Sequence, residues 1–281
     1  MFYIYGCPMH LGVGDKGLIH SLDYLKNYCR DLNCTIFPEI IMPEDNLKNL
    51  KNLNSILATC SQIAGAGYEA LTHGETPLFI AGDHSSVIGS ISASGTYYND
   101  LGLIWIDAHP DINTDTTTVT GNIHGMPVAS LLGMGEKRLA QIFSRNPKVK
   151  ASNIVMLGLR DIDPPEAEFL KELHIKYYTY DTMMKLGIEH CLNDTVRHLS
   201  GLKHIHISFD VDVMDPEFFP GVSVPVPEGF KEKEAFQIMN ELMERLPIVS
   251  YDIVEFNSEY DVNNSTAEFV KKLAHKILSN G

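Results

Sequence analysis

Eight short apolar or β-branched runs alternate with longer amphipathic stretches, and this alternation limits the folds open to the chain more than any other feature. The runs are FYIYGC from Phe2, CTIFPEII from Cys34, PLFIAG from Pro77, LGLIWID from Leu101, NIVMLGL from Asn153, IKYYTY from Ile175, HIHISFD from His204 and IVSYDIVEF from Ile248. Each has the length and side chains of a strand. Helix-length segments lie between most of them, at 47–71, 85–97, 164–173, 188–199, 231–246 and 265–278. Strands separated by helices run parallel, joined by right-handed crossovers. The 281 residues show no internal repeat or break in composition, so a single domain over 1–281 is expected. Periodicity leaves two architectures open, an open doubly wound sheet and an eight-stranded barrel. Both place their sites at the carboxyl ends of the strands.

Those ends are unusual. PLFIAG runs into Asp83 and His84, and LGLIWI into Asp107, His109 and Asp111. HIHISF runs into Asp210 and Asp212, with Asp215 beyond, and IVSYDIV into Glu255. In extended chain, positions i and i+2 share a face, about 6.6 Å apart. Asp107, His109 and Asp111 therefore point to one side, as do Asp210 and Asp212. Four aspartates and two imidazoles gathered at one sheet edge repel or protonate if left alone. Two divalent cations would balance four carboxylates, and carboxylates bridging two ions about 3.5 Å apart suit this inventory. Oxygen-rich ligation with some imidazole favours manganese over zinc. Taken singly each motif has a plainer reading: Asp83 or Ser85 could cap a helix, and Asp215-Pro216 could mark a turn. Their recurrence on successive strand ends carries the metal reading.

Composition excludes several other roles. A formal net charge of −14 argues against a nucleic-acid or anionic-membrane surface. The five cysteines are irregularly spaced, which fits reduced thiols and a cytoplasmic setting. No apolar run approaches membrane-spanning length.

The stretches AGDHSS, WIDAHPDIN, GNIHGMP, SFDVDVMDP and DIVEFN, running from Ala81 to Asn257, resemble in kind and order the metal-binding motifs of the ureohydrolase family, which comprises arginases, agmatinases and formimidoylglutamases. The resemblance implies a three-layer α/β/α fold around an eight-stranded parallel sheet. It also implies two Mn²⁺ per chain, one held by His84, Asp107, Asp111 and Asp210, the other by Asp107, His109, Asp210 and Asp212. Asp107 and Asp210 would bridge. Glu255 matches the glutamate that grips the guanidinium, and His124 the histidine that passes a proton to the leaving amine. Asp111 counts as both ligand and catalytic group.

The loop DINTDTTTVTGNIH is similar to the arginase version, where Asn113 and Thr120 match residues contacting the substrate α-carboxylate. In GLRDIDPPE, Asp163 and Glu166 match residues facing the α-amino group, although Asp163, Pro164 and Glu166 also make a good capping box. The resemblance is thus closest to arginases, which release urea and L-ornithine from L-arginine. It implies a small guanidino substrate and a homo-oligomer, trimer or hexamer. Two positions depart from the arginase pattern. Val224 stands where arginases carry threonine, and His20 and Ser21 replace a glycine–proline pair in the loop Gly12–Ser21. A ureohydrolase acting on agmatine, guanidinobutyrate or formiminoglutamate is the main alternative. A zinc amide hydrolase and a non-enzymatic metal-binding protein are more distant ones.

Overall fold

The computed structural model describes residues 2–28, 34–43, 47–144 and 147–280. Eight strands form one sheet: β1 (Phe2–Cys7), β2 (Thr35–Ile36), β3 (Thr76–Ala81), β4 (Leu101–Ile106), β5 (Ile154–Leu159), β6 (Lys176–Thr179), β7 (His204–Asp210) and β8 (Ile248–Val254). Their spatial order is β2-β1-β3-β8-β7-β4-β5-β6, and every pairing is parallel. The sheet is open, with β2 and β6 at its edges, so the barrel is ruled out.

Among the described residues ten helices flank these strands: α1 (Gly17–Tyr28), α2 (Leu53–Thr72), α3 (Val87–Tyr97), α4 (Pro127–Leu131), α5 (Lys137–Ala140), α6 (Pro164–Glu172), α7 (Tyr180–Leu186), α8 (Ile188–Leu199), α9 (Glu232–Arg245) and α10 (Ser265–Leu278). Alternation along the buried strands divides the core. Ile104, Ile106, Ile205, Ile207, Phe209 and Ile253 pack on one face against α1 and α7–α10. Phe79, Leu103, Trp105 and Met156 pack on the other, against α2–α6. This is the expected three-layer α/β/α arrangement. No helix among the described residues is long and apolar enough to cross a membrane. No disulfide links Cys7, Cys34, Cys60 or Cys191, and Cys29 lies outside the described residues.

Several expected boundaries shift for local reasons. The run from Cys34 to Ile41 pairs only at Thr35 and Ile36. Pro38 has no N–H for a ladder, and Glu39 instead accepts from the backbone N–H groups of His10 and Leu11. The helix expected from Leu47 starts at Leu53, because Asn52 sits in the left-handed region (φ 57°) and Lys51 donates to the carbonyl of Gly121. The stretch Gly12–Ser21 is loop only in its first part. From Gly17 it is helix α1, whose Leu18, Leu22 and Leu25 are buried at helical spacing. His20 and Ser21 thus lie on a helix. The Ser21 hydroxyl accepts from the N–H of Ser258, which ties α1 to the chain just beyond Glu255.

Candidate metal centre

The chain leaves β3, β4, β7 and β8 at the same edge of the sheet, and these four strands are neighbours in the order β3-β8-β7-β4. That adjacency gathers residues 84 to 255 into one place. Gly82 makes the first turn possible: a Cβ there would lie 1.7 Å from the carbonyl oxygen of Met9. Asp83 then caps the short turn 84–86, accepting from the N–H of Ser85 at 3.0 Å and of Gly12 at 2.8 Å. Asp83 therefore serves as a scaffold. Burial, together with the nearby Glu255 carboxylate, pushes its own carboxyl up to about 6.

His84 stands at the centre of the arrangement. Its Nδ1 lies 3.0 Å from Asp107 Oδ2, 3.1 Å from Asp111 Oδ2 and 2.9 Å from Asp210 Oδ2. Its ring stacks on Trp105 at 4.0 Å between centroids, and its Nε2 lies 3.0 Å from Ser208 Oγ. A second cluster forms alongside, with His109 Nδ1 3.0 Å from Asp212 Oδ2 and 3.5 Å from Asp107 Oδ1. Asp107 therefore offers one oxygen to each histidine. Backbone N–H groups hold both carboxylates in place: Asp107 Oδ1 accepts from His109 and Asp210 Oδ1 from Asp212, each at 2.7 Å.

Asp107, Asp111, Asp210 and Asp212 are all at least nine-tenths buried. Burial drives the carboxyl groups of Asp111, Asp210 and Asp212 upward, and repulsion from the Asp107 carboxylate adds to it in each. Among the described residues, no lysine or arginine lines the cleft above them. The Arg160 guanidinium spends its donors on the carbonyls of residues 158, 212–214, 226 and 227. His84 Nδ1 and Asp107 Oδ2 are buried without a hydrogen-bond partner. Donor atoms converging on one point, partly unsatisfied and short of positive charge, are positioned to hold metal. His84, Asp107 and Asp111 form one such group, and Asp107, His109 and Asp212 another.

Two of these residues are held in a backbone conformation that L side chains rarely adopt: Asp111 at φ 47° and Glu255 at φ 65°. Such strain persists where surrounding contacts enforce it, commonly at functional sites. Here the carbonyl of Asp111 accepts from Val128, and Glu255 donates to Gly82.

Above the centre opens a cleft of about 330 Å³. His124, on the turn 123–125, reaches it with Nδ1 3.5 Å from Glu255 Oε1. That same oxygen accepts from the N–H of His84, whereas Glu255 Oε2 is buried and has no partner. Asn113, Thr120, Asp163, Glu166 and Val224 all line the cleft. Asn113 donates to Asp163 at 3.2 Å, and Glu166 accepts from the N–H groups of Ile112 and Asp163, so α6 is pinned to the β4 loop. The helix-capping role of Glu166 is therefore present. Sequence reading missed Asp161, Thr118 and Asn122, which also line the cleft. It missed Ser208 as well, although polar residues at alternate positions in HIHISFD were the available signal.

Burial first, and the charge of Asp111 second, push the Glu166 carboxyl from its ordinary 4.5 up to about 8. The folded chain then keeps a proton that the unfolded chain gives up. That stabilisation is complete below about pH 4.5 and is lost as pH rises through about 8. Metal-free protein should accordingly melt several degrees lower at pH 8 than at pH 5.5, and Glu166→Gln should shrink the difference. Thermal melts in chelator at the two pH values measure this. Equal drops in parent and variant would remove Glu166 as the source.

The family profile described as Arginase family matches residues 4–279. The chain belongs to the arginase family. The curated arginase of Bacillus subtilis strain 168 is 34% identical over 289 residues, covering 98% of this chain and 96% of the relative. Among solved structures, B. caldovelox arginase superposes with a TM-score of 0.90 at 33% identity, covering 97% of this chain and 96% of that one. Entamoeba histolytica arginase in complex with L-ornithine gives 0.89 at 26% identity, covering 97% of each. Membership of the arginase family makes this chain a hydrolase of the guanidino C–N bond.

Proposed function

We propose that this single-domain chain hydrolyses L-arginine to L-ornithine and urea, with two Mn²⁺ held by His84, Asp107, His109, Asp111, Asp210 and Asp212. The observation that carries the reading is Asp107, whose two oxygens face two separate histidine–carboxylate clusters at the floor of a cleft. The convergence of His84 Nδ1 with carboxylate oxygens of Asp107, Asp111 and Asp210 supports a metal there, and an oxygen-rich donor set with some imidazole suits manganese better than zinc.

Guanidinium is delocalised and a poor electrophile. The chemistry that two divalent cations supply when bound is Lewis acidity, which brings the ionisation of water near neutral pH. The remaining work falls to the chain. Glu255 Oε2, buried and without a partner, is an acceptor for the guanidinium N–H groups, and a carboxylate holds that planar cation well. Water adds through oxygen to the guanidino carbon, and collapse of the tetrahedral adduct breaks the bond to the δ-nitrogen; the two protons that water gives up reach that nitrogen, one of them through His124, so that urea and the ornithine ammonium leave. Burial alone would depress the His124 imidazolium, but the hydrogen bond to Glu255 outweighs it and raises its pKa, so a proton is available near neutrality. Asn113 and Thr120 at the rim supply donors for an α-carboxylate, and Asp163 a counter-charge for an α-ammonium.

Agmatine lacks the α-carboxylate. Hydrogen bonds to charged groups contribute roughly 1.5–3 kcal/mol each. Loss of two should lower kcat/KM by at least roughly tenfold and up to about a thousandfold relative to arginine. Urea release from a panel of guanidino compounds, after loading with manganese, tests the reading. Faster turnover of agmatine or guanidinobutyrate would transfer the assignment to another ureohydrolase activity. Val224 and α1 would then be the first positions to examine.

A further inference from the structure

Beneath the metal centre, between β7, β8 and α3, lies a buried polar set that the chemistry above does not use. His206, Ser208, Ser250, Asp252, Ser90 and Ser94 are each at most 1% exposed. His206 Nε2 lies 2.6 Å from Asp252 Oδ2, and Ser90 Oγ donates to the same oxygen at 2.8 Å. His206 Nδ1 lies 2.6 Å from Ser250 Oγ, which in turn lies 2.8 Å from Ser94 Oγ. Such a set is costly to bury unless every member finds a partner. Asp252 Oδ1 is fully buried and has none.

Ser208 is the link upward. It shares a strand face with His206 and Asp210, and it stands directly across from Asp252 in the β7–β8 register. Its Oγ is 3.0 Å from His84 Nε2. A histidine that offers Nδ1 to a cation carries its proton on Nε2, so His84 donates to Ser208. The Ser208 hydroxyl then needs an acceptor of its own, and the unpartnered oxygen in register with it is Asp252 Oδ1. Strands about 4.8 Å apart bring two such side chains within reach.

We propose that Asp252 is a positioning residue that acts through Ser208 on the ring of His84, fixing its tautomer and strengthening Nδ1 as a donor to the cation. A carboxylate behind a ligating histidine raises its basicity, and loss of such a partner typically weakens metal binding by about 10–100-fold. The inference rests on the reading that His84 helps to hold a divalent cation.

The test is calorimetric titration of metal-free protein with Mn²⁺, with melts of the metal-free forms as the folding control. Asp252→Asn should weaken at least one of the two manganese affinities by about 10–100-fold, and Ser208→Ala by a similar factor. Because both act along one path, the double variant should be no worse than the poorer single, within about twofold. A purely structural role would lower the metal-free melting temperature and leave manganese affinity unchanged. If Asp252→Asn does not fold, Asp252→Ser replaces it in the cycle. Parental affinity in either folded variant, or losses that multiply in the double, would overturn the proposal. A parent chain that binds no divalent cation would instead sink the metal-dependent function itself.

Discussion

Asp107→Asn should reduce bound manganese from two ions per chain to one or fewer and lower kcat/KM by about 10³-fold or more. Among the described residues, Asp107 has its two oxygens each facing a different histidine, at 3.0 Å from His84 Nδ1 and 3.5 Å from His109 Nδ1. Asparagine keeps the shape and one oxygen, so a single cluster can persist. It removes both the negative charge and the second donor, and a proposed pair of Lewis acids would lower the barrier to water attack by several kcal/mol. Asp107 and Asp210 each also accept a backbone N–H through Oδ1, from His109 and Asp212 at 2.7 Å, which holds both carboxylates in place. Metal analysis of the desalted variant, alongside its urea release, checks the expectation. Two ions per chain with turnover within tenfold of the parent would show that Asp107 does not join the clusters.

His124→Asn separates catalysis from metal binding. The imidazole touches Glu255 at 3.5 Å and lines the cleft, and it contributes to neither group of metal-holding side chains. Manganese content should therefore remain at two, while kcat falls by about 10²–10⁴-fold, the usual worth of a placed proton donor. The parent should also lose activity at high pH as His124 deprotonates. Its partnership with Glu255 moves that limb above the ordinary histidine range of about 6.5. Turnover within about twofold of the parent, or an unchanged alkaline limb in the variant, would take His124 out of the mechanism.

Much of this centre was legible because its chemistry conflicts with its surroundings. Charges at alternate positions directly after LGLIWI and HIHISF have no place in a buried sheet unless something pairs with them. The strands were legible for the complementary reason, since runs buried on both faces are almost wholly apolar. Helix α1 carried its signal too, in Leu18, Leu22 and Leu25, but the glycines before it read as loop. Other features leave no local trace. The left-handed backbone of Asp111 and Glu255 is imposed by neighbours distant in sequence. Ser208 and Asp252 look like ordinary polar strand residues until the β7–β8 register sets them opposite each other. Glu166 fitted two roles in sequence, and the structure shows the capping one while leaving its carboxyl at the edge of the cleft.

The strand order carries a consequence for how the chain matures. Of the eight strands β8 is synthesised after the other seven, yet it enters the middle of the sheet between β3 and β7. Until it does, those two strands have no ladder between them, so His84 after β3 stands apart from Asp107 and Asp210 after β4 and β7, and Gly82 lacks the amide of Glu255. A nascent chain halted before Ile248 would expose two unsatisfied strand edges and keep His84 away from the other five candidate ligands. Insertion of a central strand late in synthesis is a long-range event, slow and prone to aggregation. A divalent cation that binds the completed arrangement more tightly than the partial one would draw late folding intermediates toward the native state by mass action.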